Sequence, residues 1–307
     1  MELKQLEYFI AIAEAGTFSG ASVRLSVGQP VLSRQIRALE EELGTRLYTR
    51  TGRGIALSEA GKLFEQHARG VLEQAANARS AIDALRSTPS GRVVIGMPPS
   101  VGAVLTASLV AQFRAQFDRV SLGVIEGFSG HVLEWLTTGR VDVAVLYDAP
   151  RSPALAAQPL VTDELYLLGP ADDPAGVGAA PLSAARLAEI PLILPSRPHG
   201  LRLLVDDALA SLDVSPDVRI EIDAMPSTLT LVERGVAYTI LSYSCVDSLI
   251  RAGRIRYWPI VQPTMTRTLV VATSTQRPVT MAARALREMV VGQVRRLIEE
   301  RRWTPEP

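Results

Sequence analysis

The residue types with the most specific chemistry lie on one side of a predicted helix that begins near residue 29. Gln29, Ser33 and Arg34 carry hydrogen-bond donors that can reach base edges in the major groove of DNA. Arg50 and Arg53 lie close to glycines in a predicted hairpin tip, where arginines can contact phosphates or the minor groove. These residues predict a nucleic-acid-binding surface. The alternative is an ordinary solvated face, since any amphipathic helix carries exposed arginines.

Three short helices and the hairpin are predicted to position these side chains. The first helix is indicated by four apolar residues at helical spacing, namely Leu3, Leu6, Ile10 and Ala13. A second, short helix follows Gly16, with Ser19 predicted as its cap. The third helix begins at Gln29, with Pro30 at a position where its missing N–H costs nothing. Residues 47–49 and 55–57 are predicted as the two strands of the hairpin.

The third helix has two distinct faces. Its apolar stripe consists of Leu32, Ile36, Leu39 and Leu43, and Gly44 ends it. At about 100° per residue, the opposite side holds Pro30, Ser33, Arg34, Arg37 and Glu41. Between residues 24 and 53 the chain has six arginines and three glutamates, a net charge of +3 on the predicted docking elements.

A long helix without proline is predicted after Ser58, its expected N-cap. Apolar residues then recur at alternating steps of four and three, the seam of a coiled coil. The seam residues are Phe64, Ala68, Val71, Ala75, Ala78, Ile82 and Leu85. The pattern predicts dimerisation through residues 59–86, and the alternative is a helix that packs on its own domain. A breaker cluster at 87–91 predicts a hinge.

The remaining chain alternates between predicted strands and helices, which indicates parallel sheets covered on both faces. The predicted strands are 93–95, 121–125, 141–146, 165–168, 192–194, 218–222, 239–241 and 269–272. The predicted helices are 101–117, 131–138, 201–212, 227–234 and 280–300.

Ligands of such α/β domains bind where strand ends and helix N-termini converge. Ser100 and Ser129 each follow a predicted strand, and Ser100 is expected to cap a helix whose free N–H groups suit a carboxylate. Farther along, Arg197 could hold an anion bidentately and His199 could add a donor. A simple helix cap is an equal alternative for Ser100, and an exposed loop is the alternative for Arg197 and His199.

Composition and motif content argue against several other classes. The chain of 307 residues has 32 Lys+Arg against 32 Asp+Glu and one cysteine, so a disulfide-stapled module is excluded. No apolar run is long enough for a membrane span, and the acidic N-terminus does not fit a secretory leader, so we expect a cytoplasmic protein. The three histidines share no metal-ligand spacing, phosphate-binding loops are absent, and Cys245 is expected to be an inert packed thiol. We therefore expect no enzyme activity, metal or cofactor. A solute-binding protein remains an alternative for residues 91–307 alone.

Four segments closely resemble the winged helix-turn-helix of LysR-type transcriptional regulators. They are FSGASVRL at 18–25, QPVLSRQIRALEEELG at 29–44, LYTR at 47–50 and LSEAG at 57–61. This resemblance implies an α/β fold class with an N-terminal winged helix-turn-helix, a long linker helix and a two-lobed periplasmic-binding-protein-like effector domain. It also implies DNA contacts at Gln29, Pro30, Ser33, Arg34, Arg37, Arg50 and Arg53. Two departures from the family pattern are Gly28, which offers no side-chain cap, and Gly20, which replaces a frequent basic residue.

The resemblance further implies a domain organisation and a set of partners. The expected domains are 1–58 for DNA binding, 59–90 for the linker helix and hinge, and 91–307 for the effector domain. Within the last, lobe I comprises 91–161 and 266–307, and lobe II comprises 162–265. The implied partners are double-stranded DNA with an imperfect palindromic operator, further copies of the chain in a dimer or tetramer, RNA polymerase and a small anionic effector.

The expected effector contacts are Ser100, Val101, Ser129, Ser196, Arg197 and His199. Segments 141–147, 164–169 and 192–195 look most similar to the nitrogen-assimilation-control branch of the family. Regulators resembling that branch can act by abundance alone, so a regulator of nitrogen metabolism without an effector is the alternative function.

Overall fold

The computed structural model describes residues 1–51, 54–84, 89–178 and 181–304, and the chain forms two compact units, Met1–Thr88 and Pro89–Pro307. The elements of the first unit are α1 (Leu3–Ala15), α2 (Phe18–Leu25), α3 (Gln29–Leu43), β1 (Tyr48–Thr51), β2 (Gly54–Leu57) and α4 (Glu59–Ala84). The order of helices and hairpin predicted from the sequence is therefore confirmed.

Apolar residues at helical spacing form the core of the first unit. Leu6, Phe9 and Ile12 of α1 are buried against Leu32 and Leu39 of α3. Two sequence predictions need correction. Thr17, not Ser19, caps α2, because its hydroxyl accepts a hydrogen bond from the N–H of Gly20 at 3.0 Å. Leu43 is 39% exposed, since it occupies the last helical position before Gly44 and lies beyond the edge of the core.

The hairpin is held against the helices at a point that requires glycine. β1 and β2 pair antiparallel, with Tyr48 opposite Leu57. The N–H of Ile55 donates to the carbonyl oxygen of Gly16 at 3.1 Å. Gly54 has a φ of 149°, and a Cβ there would lie 2.6 Å from the same carbonyl oxygen. The wing is therefore fixed relative to the turn between α1 and α2.

The second unit contains ten strands and six α-helices in its described part. The strands are β3 (Gly91–Met97), β4 (Val120–Glu126), β5 (Val143–Tyr147), β6 (Leu155–Pro170), β7 (Leu182–Ser183), β8 (Leu192–Leu194), β9 (Val218–Glu221), β10 (Tyr238–Ser242), β11 (Ile255–Val261) and β12 (Thr266–Ser274). The helices are α5 (Pro99–Gln116), α6 (Ser129–Thr138), α7 (Gly200–Ala210), α8 (Met225–Glu233), α9 (Asp247–Arg251) and α10 (Met281–Glu299).

These strands form one mixed sheet in two lobes, in the order β4-β3-β5-β12-β6-β10-β8-β9, with β11 paired to β6. The first part of β6 pairs with β12, and its last residues pair with β10 and β11, so β6 runs from one lobe into the other. The expectation of parallel sheets holds for β3–β4, β3–β5, β8–β9 and β8–β10. It is wrong for the pairs that β6 makes with β10, β11 and β12 and for β12–β5, which are antiparallel.

Helices cover both faces of each lobe, as the alternating pattern predicts. In the first lobe, α5 and α10 pack on one face and α6 on the other. In the second lobe, α7 packs on one face, and α8 and α9 on the other. α5 and α6 begin just after the carboxyl ends of β3 and β4, and α7 and α8 begin after β8 and β9. This connectivity places four helix N-termini at strand ends, which is where ligands of α/β domains bind.

Candidate nucleic-acid interface and ligand cavity

The face of α3 opposite its buried stripe is open to solvent. Gln29, Pro30, Arg34 and Arg37 are exposed, and Ser33 is half-buried. Gly28 is the N-cap of the helix and offers no side-chain hydrogen bond, as the sequence predicts. The predicted docking residues of this helix therefore lie together on one accessible face.

The cations of that face differ from their neighbours in how they are paired. Arg24 contacts Glu14 and Arg46 contacts Glu40, so part of their charge is compensated within the unit. Neither Arg34 nor Arg37 has a hydrogen-bond or ion-pair partner among the described residues. Two uncompensated guanidinium groups on an exposed helix face favour an anionic partner such as the phosphates of DNA.

Of the two predicted wing contacts, one lies in the described part of the chain. Arg50 lies on β1, next to the hairpin tip, while Arg53 lies outside the described residues. The position of β1 is nevertheless fixed, because the Tyr48 hydroxyl donates to the carbonyl oxygen of Phe9 at 2.6 Å. This hydrogen bond holds β1, the strand that carries Arg50, against α1.

The predicted coiled-coil seam on α4 divides into a buried and an exposed part. Ala68 is buried and Phe64 packs against the core of the first unit, which agrees with the alternative of a helix packed on its own domain. Val71, the next seam residue, is 42% exposed, and Leu63 beside the seam is 61% exposed. Leu85 lies outside the described residues. Val71 and Leu63 are therefore apolar side chains of α4 that the first unit does not cover.

A cavity of about 650 Å³ lies between the two lobes of the second unit. Its wall is formed by the residues at the starts of α5, α6, α7 and α8 and by strands of both lobes. Cavities of this size are typical of sites for small molecules. The N-terminal N–H groups of the helices give the cavity a bias toward negatively charged ligand groups.

Four of the six predicted effector contacts line this cavity, namely Ser100, Ser129, Ser196 and His199. The other two do not belong to its wall. Val101 lies on α5, but its side chain is buried in the hydrophobic core of the first lobe. The guanidinium of Arg197 is 63% exposed and pairs with Asp206 at 2.7 Å, so its charge is compensated outside the cavity.

The Ser129 hydroxyl and the His199 imidazole are held in defined positions. The prediction that Ser100 caps α5 is wrong, because the helix begins one residue earlier, at Pro99, with Pro98 as its N-cap and no side-chain cap hydrogen bond. Ser129 accepts a hydrogen bond from the N–H of Tyr147 at 3.1 Å, and its own proton remains free to donate. His199 caps α7, with Nδ1 accepting from the N–H of Leu201 at 3.1 Å, and its ring meets that of Phe128 edge-on at 4.3 Å. Burial lowers the pKa of His199, with a further decrease from the positive charge of Arg267.

Arg267 is the functional candidate that sequence reasoning missed. Its side chain lines the cavity although the residue is only 7% exposed, and its guanidinium lies over the Tyr147 ring at 3.5 Å. Nη2 donates to the hydroxyl of Ser242 at 2.7 Å, whereas Nε is buried without a hydrogen-bond partner in the described part of the chain. Nothing in the sequence distinguishes this arginine from the others, because its burial depends on the pairing of two distant strands.

A buried carboxylate lies on the neighbouring strand. Asp163 of β6 is the register partner of Arg267 on β12 and is 1% exposed. It accepts a hydrogen bond from the Tyr147 hydroxyl at 3.0 Å. Burial raises the pKa of Asp163, and the positive charge of Arg267 opposes that shift. Asp163, Tyr147 and Arg267 thus form a polar cluster where both strands cross between the lobes.

The second unit also holds the chain's one cysteine. Cys245 is buried, and burial raises its pKa to about 12, which disfavours the reactive thiolate. Within the described ranges no cluster of three or more His, Cys, Asp or Glu side chains suits a metal ion. In the same ranges no helix is sufficiently long and apolar to cross a membrane.

A winged helix-turn-helix joined to a two-lobed α/β unit with an internal cavity defines the class of ligand-responsive transcriptional regulators. Comparison with known families agrees with this class. Residues 3–62 match the model of the bacterial regulatory helix-turn-helix protein, lysR family, and residues 86–295 match the LysR substrate binding domain. The chain belongs to the LysR family of transcriptional regulators.

Individual relatives extend the similarity over almost the full length. The nitrogen assimilation regulatory protein nac of Klebsiella aerogenes is 30% identical over 297 residues, covering 96% of each chain. A variant of full-length OxyR from Pseudomonas aeruginosa has a TM-score of 0.72 at 26% identity, covering 96% of this chain and 95% of the other. CbnR in complex with its target DNA has a TM-score of 0.73 at 24% identity, covering 96% and 99%, and supports the fold.

Proposed function

We propose that this regulator acts in the cytoplasm by binding an imperfect palindromic operator as a dimer or tetramer and by contacting RNA polymerase. The observation that carries the proposal is the exposed face of α3, on which Arg34 and Arg37 have no partner among the described residues. The proposed DNA contacts are Gln29, Pro30, Ser33, Arg34, Arg37, Arg50 and Arg53.

Two copies of α3 are needed to read a palindrome, and α4 supplies a surface for pairing. Val71 and Leu63 expose apolar side chains on a helix of 26 residues, about 39 Å long at 1.5 Å per residue. Burying these side chains against a second copy removes them from water. The proposed domain boundaries are therefore 1–58 for DNA binding, 59–90 for pairing and 91–307 for the effector.

The cavity between the lobes is the proposed effector site. Ser100, Ser129, Ser196 and His199 line it, and four helices begin at its wall, an arrangement that favours an anionic ligand. Ligand contacts with both lobes favour the closed arrangement of the lobes, and this bias changes the angle between the paired DNA-binding domains. Val101 and Arg197, which lie outside the wall, are not included.

The operator and the effector site can be tested separately. The purified full chain should shift DNA from the region upstream of its own gene in preference to shuffled DNA at moderate salt. Absence of any sequence preference contradicts the regulator function. Replacing Ser100 and Ser129 together with alanine should leave the shift intact and abolish the effect of the inducing metabolite on transcription. An unchanged response to the inducer removes these residues from the effector site.

Similarity to the nitrogen assimilation regulatory protein supports a second candidate, a regulator of nitrogen metabolism. The family resemblance adds that such a regulator can act without an effector. In that case the footprint on the operator depends on protein concentration alone. Adding a fractionated pool of small metabolites then leaves both its length and its midpoint unchanged, whereas an effector-responsive regulator changes at least one of them.

A further inference from the structure

The cavity between the lobes has one strongly basic group in its wall. Among the described lining residues Arg267 is the one arginine or lysine, and it is more than nine-tenths buried. Nη2 is hydrogen-bonded to Ser242, Nε has no partner in the described part of the chain, and no ion pair joins Arg267 to Asp163 there. The charge of Asp163 interacts with that of Arg267, but a buried guanidinium whose Nε donor is unused is costly unless a further acceptor completes it.

Two hydroxyl groups add hydrogen-bonding capacity to the same cavity. Ser100 is 8% exposed, and its hydroxyl has no hydrogen-bond partner among the described residues. Ser129 accepts from the backbone of Tyr147 and keeps its proton available. Tyr147 in turn lies under the guanidinium of Arg267. A carboxylate has two oxygens for such donors, and a guanidinium binds it with two parallel hydrogen bonds.

Most of the remaining wall is apolar. It includes Phe128, Ile193, Leu201, Leu204, Ile222 and Leu241, contributed by both lobes. These side chains offer no hydrogen bonds, so they favour a ligand body with little polarity.

A second negative charge on the ligand is opposed by the other charged groups of the wall. Asp148 and Asp223 both line the cavity and are exposed. Asp148 accepts a hydrogen bond from the N–H of Thr268 at 2.8 Å, which places it close to the strand that carries Arg267. Hydrogen bonds from Ser196 lower the pKa of Asp223, so this carboxylate is ionised at neutral pH. Like charges in a partly desolvated site repel one another.

From these features we propose that the effector is a small monocarboxylate with a predominantly apolar body, and that Arg267 binds its carboxylate. This inference rests on the proposed function of the cavity as the effector site. Arg267 lies on β12 opposite Asp163 of β6, at the crossing between the lobes. The carboxylate of the ligand therefore lies where the chain crosses between the lobes, and its apolar body contacts side chains of both lobes.

Sets of probes with a common skeleton test the ligand class on the full chain without any substitution. One set is hexanoate, hexanamide and adipate, and the other is 3-phenylpropionate, 3-phenylpropanamide and phenylsuccinate. Isothermal titration should show at least one monocarboxylate that binds ten or more times tighter than its amide and its dicarboxylate. Equal binding of the amide, tighter binding of the dicarboxylate, or no binding in either set overturns the proposal.

Substitutions test the role of the arginine. Arg267→Gln should weaken binding of that monocarboxylate roughly 10- to 100-fold, the usual effect of losing a charged hydrogen-bonded partner. Arg197→Gln is the matched control, because this arginine is exposed and paired with Asp206, and it should leave the affinity unchanged. Unaltered binding by a folded Arg267→Gln chain overturns the assignment. Should that variant fail to fold, Arg267→Lys keeps the charge but loses the paired donors, and unaltered binding then has the same meaning.

Failure of this inference is distinguishable from failure of the proposed function. A monocarboxylate that binds through Arg267 but leaves the operator footprint unchanged refutes the effector role and supports the ligand class. An operator footprint that responds to a ligand insensitive to Arg267 supports the effector role and refutes the ligand class.

Discussion

Replacing Arg37 with glutamine should weaken the salt dependence of operator binding by a predictable amount. Arg37 is exposed on α3 and has no ion-pair partner among the described residues, so its charge is free to neutralise a phosphate. Each neutralised phosphate contributes about 0.9 to the slope of log K against log salt. A dimer loses two such contacts, so its slope should fall by about 1.8. Over the fourfold range from 50 to 200 mM salt, this change corresponds to about a twelvefold smaller loss of affinity.

The measurement is fluorescence anisotropy with operator and shuffled duplexes at several salt concentrations. Because phosphate contacts carry no sequence information, Arg37→Gln should lower the affinity for the operator duplex and for the shuffled duplex by the same factor at low salt. Arg34→Gln should instead reduce the preference for operator, at about 1–3 kcal/mol for each half-site if it reads a base edge. The two arginines thus predict different signatures from the same titration.

Arg119→Gln is the control for net charge. Arg119 belongs to the second unit, is exposed and has no hydrogen-bond or ion-pair partner in the described part of the chain, so the substitution removes the same charge without altering the DNA-binding unit. It should leave the slope unchanged. An unaltered slope for Arg37→Gln, or an equal decrease for Arg119→Gln, would show that the face of α3 does not contact phosphates.

Three further predictions concern stability and assembly. Gly61→Ala should destabilise the first unit by several kcal/mol, because a Cβ there collides with the carbonyl oxygen of Leu47. Gly70 on the same helix has open space around it, so Gly70→Ala should stabilise α4 by up to about 1 kcal/mol. Chemical denaturation measures both changes. Val71→Glu should shift the chain toward monomer in sedimentation velocity. Gln74→Glu is the control, because it adds the same charge at an exposed position outside the predicted seam, and it should not shift the chain. Equal behaviour of the two variants excludes Val71 from the interface. Because the pKa of His199 is lowered in the folded state, the unfolded state binds more protons as pH falls below about 6.5, and stability is lost there. His199→Gln should therefore flatten the decrease of Tm between pH 7.5 and 5.5, and an unchanged pH profile would contradict this.

Local sequence patterns were sufficient to predict the first unit. The buried stripe of α3 and the glycine at its end depend on residues only a few positions apart, so periodicity predicts them. Where prediction was wrong, the competing residue was a near neighbour. Thr17 and Ser19 have the same capping chemistry, and Thr17 is the cap because α2 already begins at Phe18, which puts Ser19 inside the helix.

The second unit was predicted in its parts but not in its pairing. The segments of β3 and β8 were recognised because buried parallel strands are continuous apolar runs, and β9 because its apolar and charged residues alternate. β11 was missed because charged and half-buried residues interrupt its apolar positions, among them Arg256 and Pro259. The length of β6 was underestimated for a similar reason, since its first residues are largely exposed. The antiparallel pairings of these strands are set by contacts far apart in sequence, which no local pattern encodes.

The contrast between Arg197 and Arg267 shows why the residues that line the ligand cavity were harder to predict than the position of the cavity in the fold. The sequence favoured Arg197, since it lies in a loop beside a helix start. Its guanidinium has a carboxylate partner in Asp206, nine residues later on α7, and this pairing uses its charge outside the wall. Arg267 lies beside a segment that the sequence predicts only as a strand. The register of β12 with β6 nevertheless buries its guanidinium at the cavity, with Nε left without a hydrogen-bond partner in the described part of the chain. The chain is neutral as a whole, with 32 basic and 32 acidic residues, so total charge distinguishes neither position. Arg24 and Arg197 use their charge on carboxylates of their own unit, whereas Arg34, Arg37 and Arg267 have no carboxylate within ion-pair distance in the described structure, and such distances are fixed by the fold.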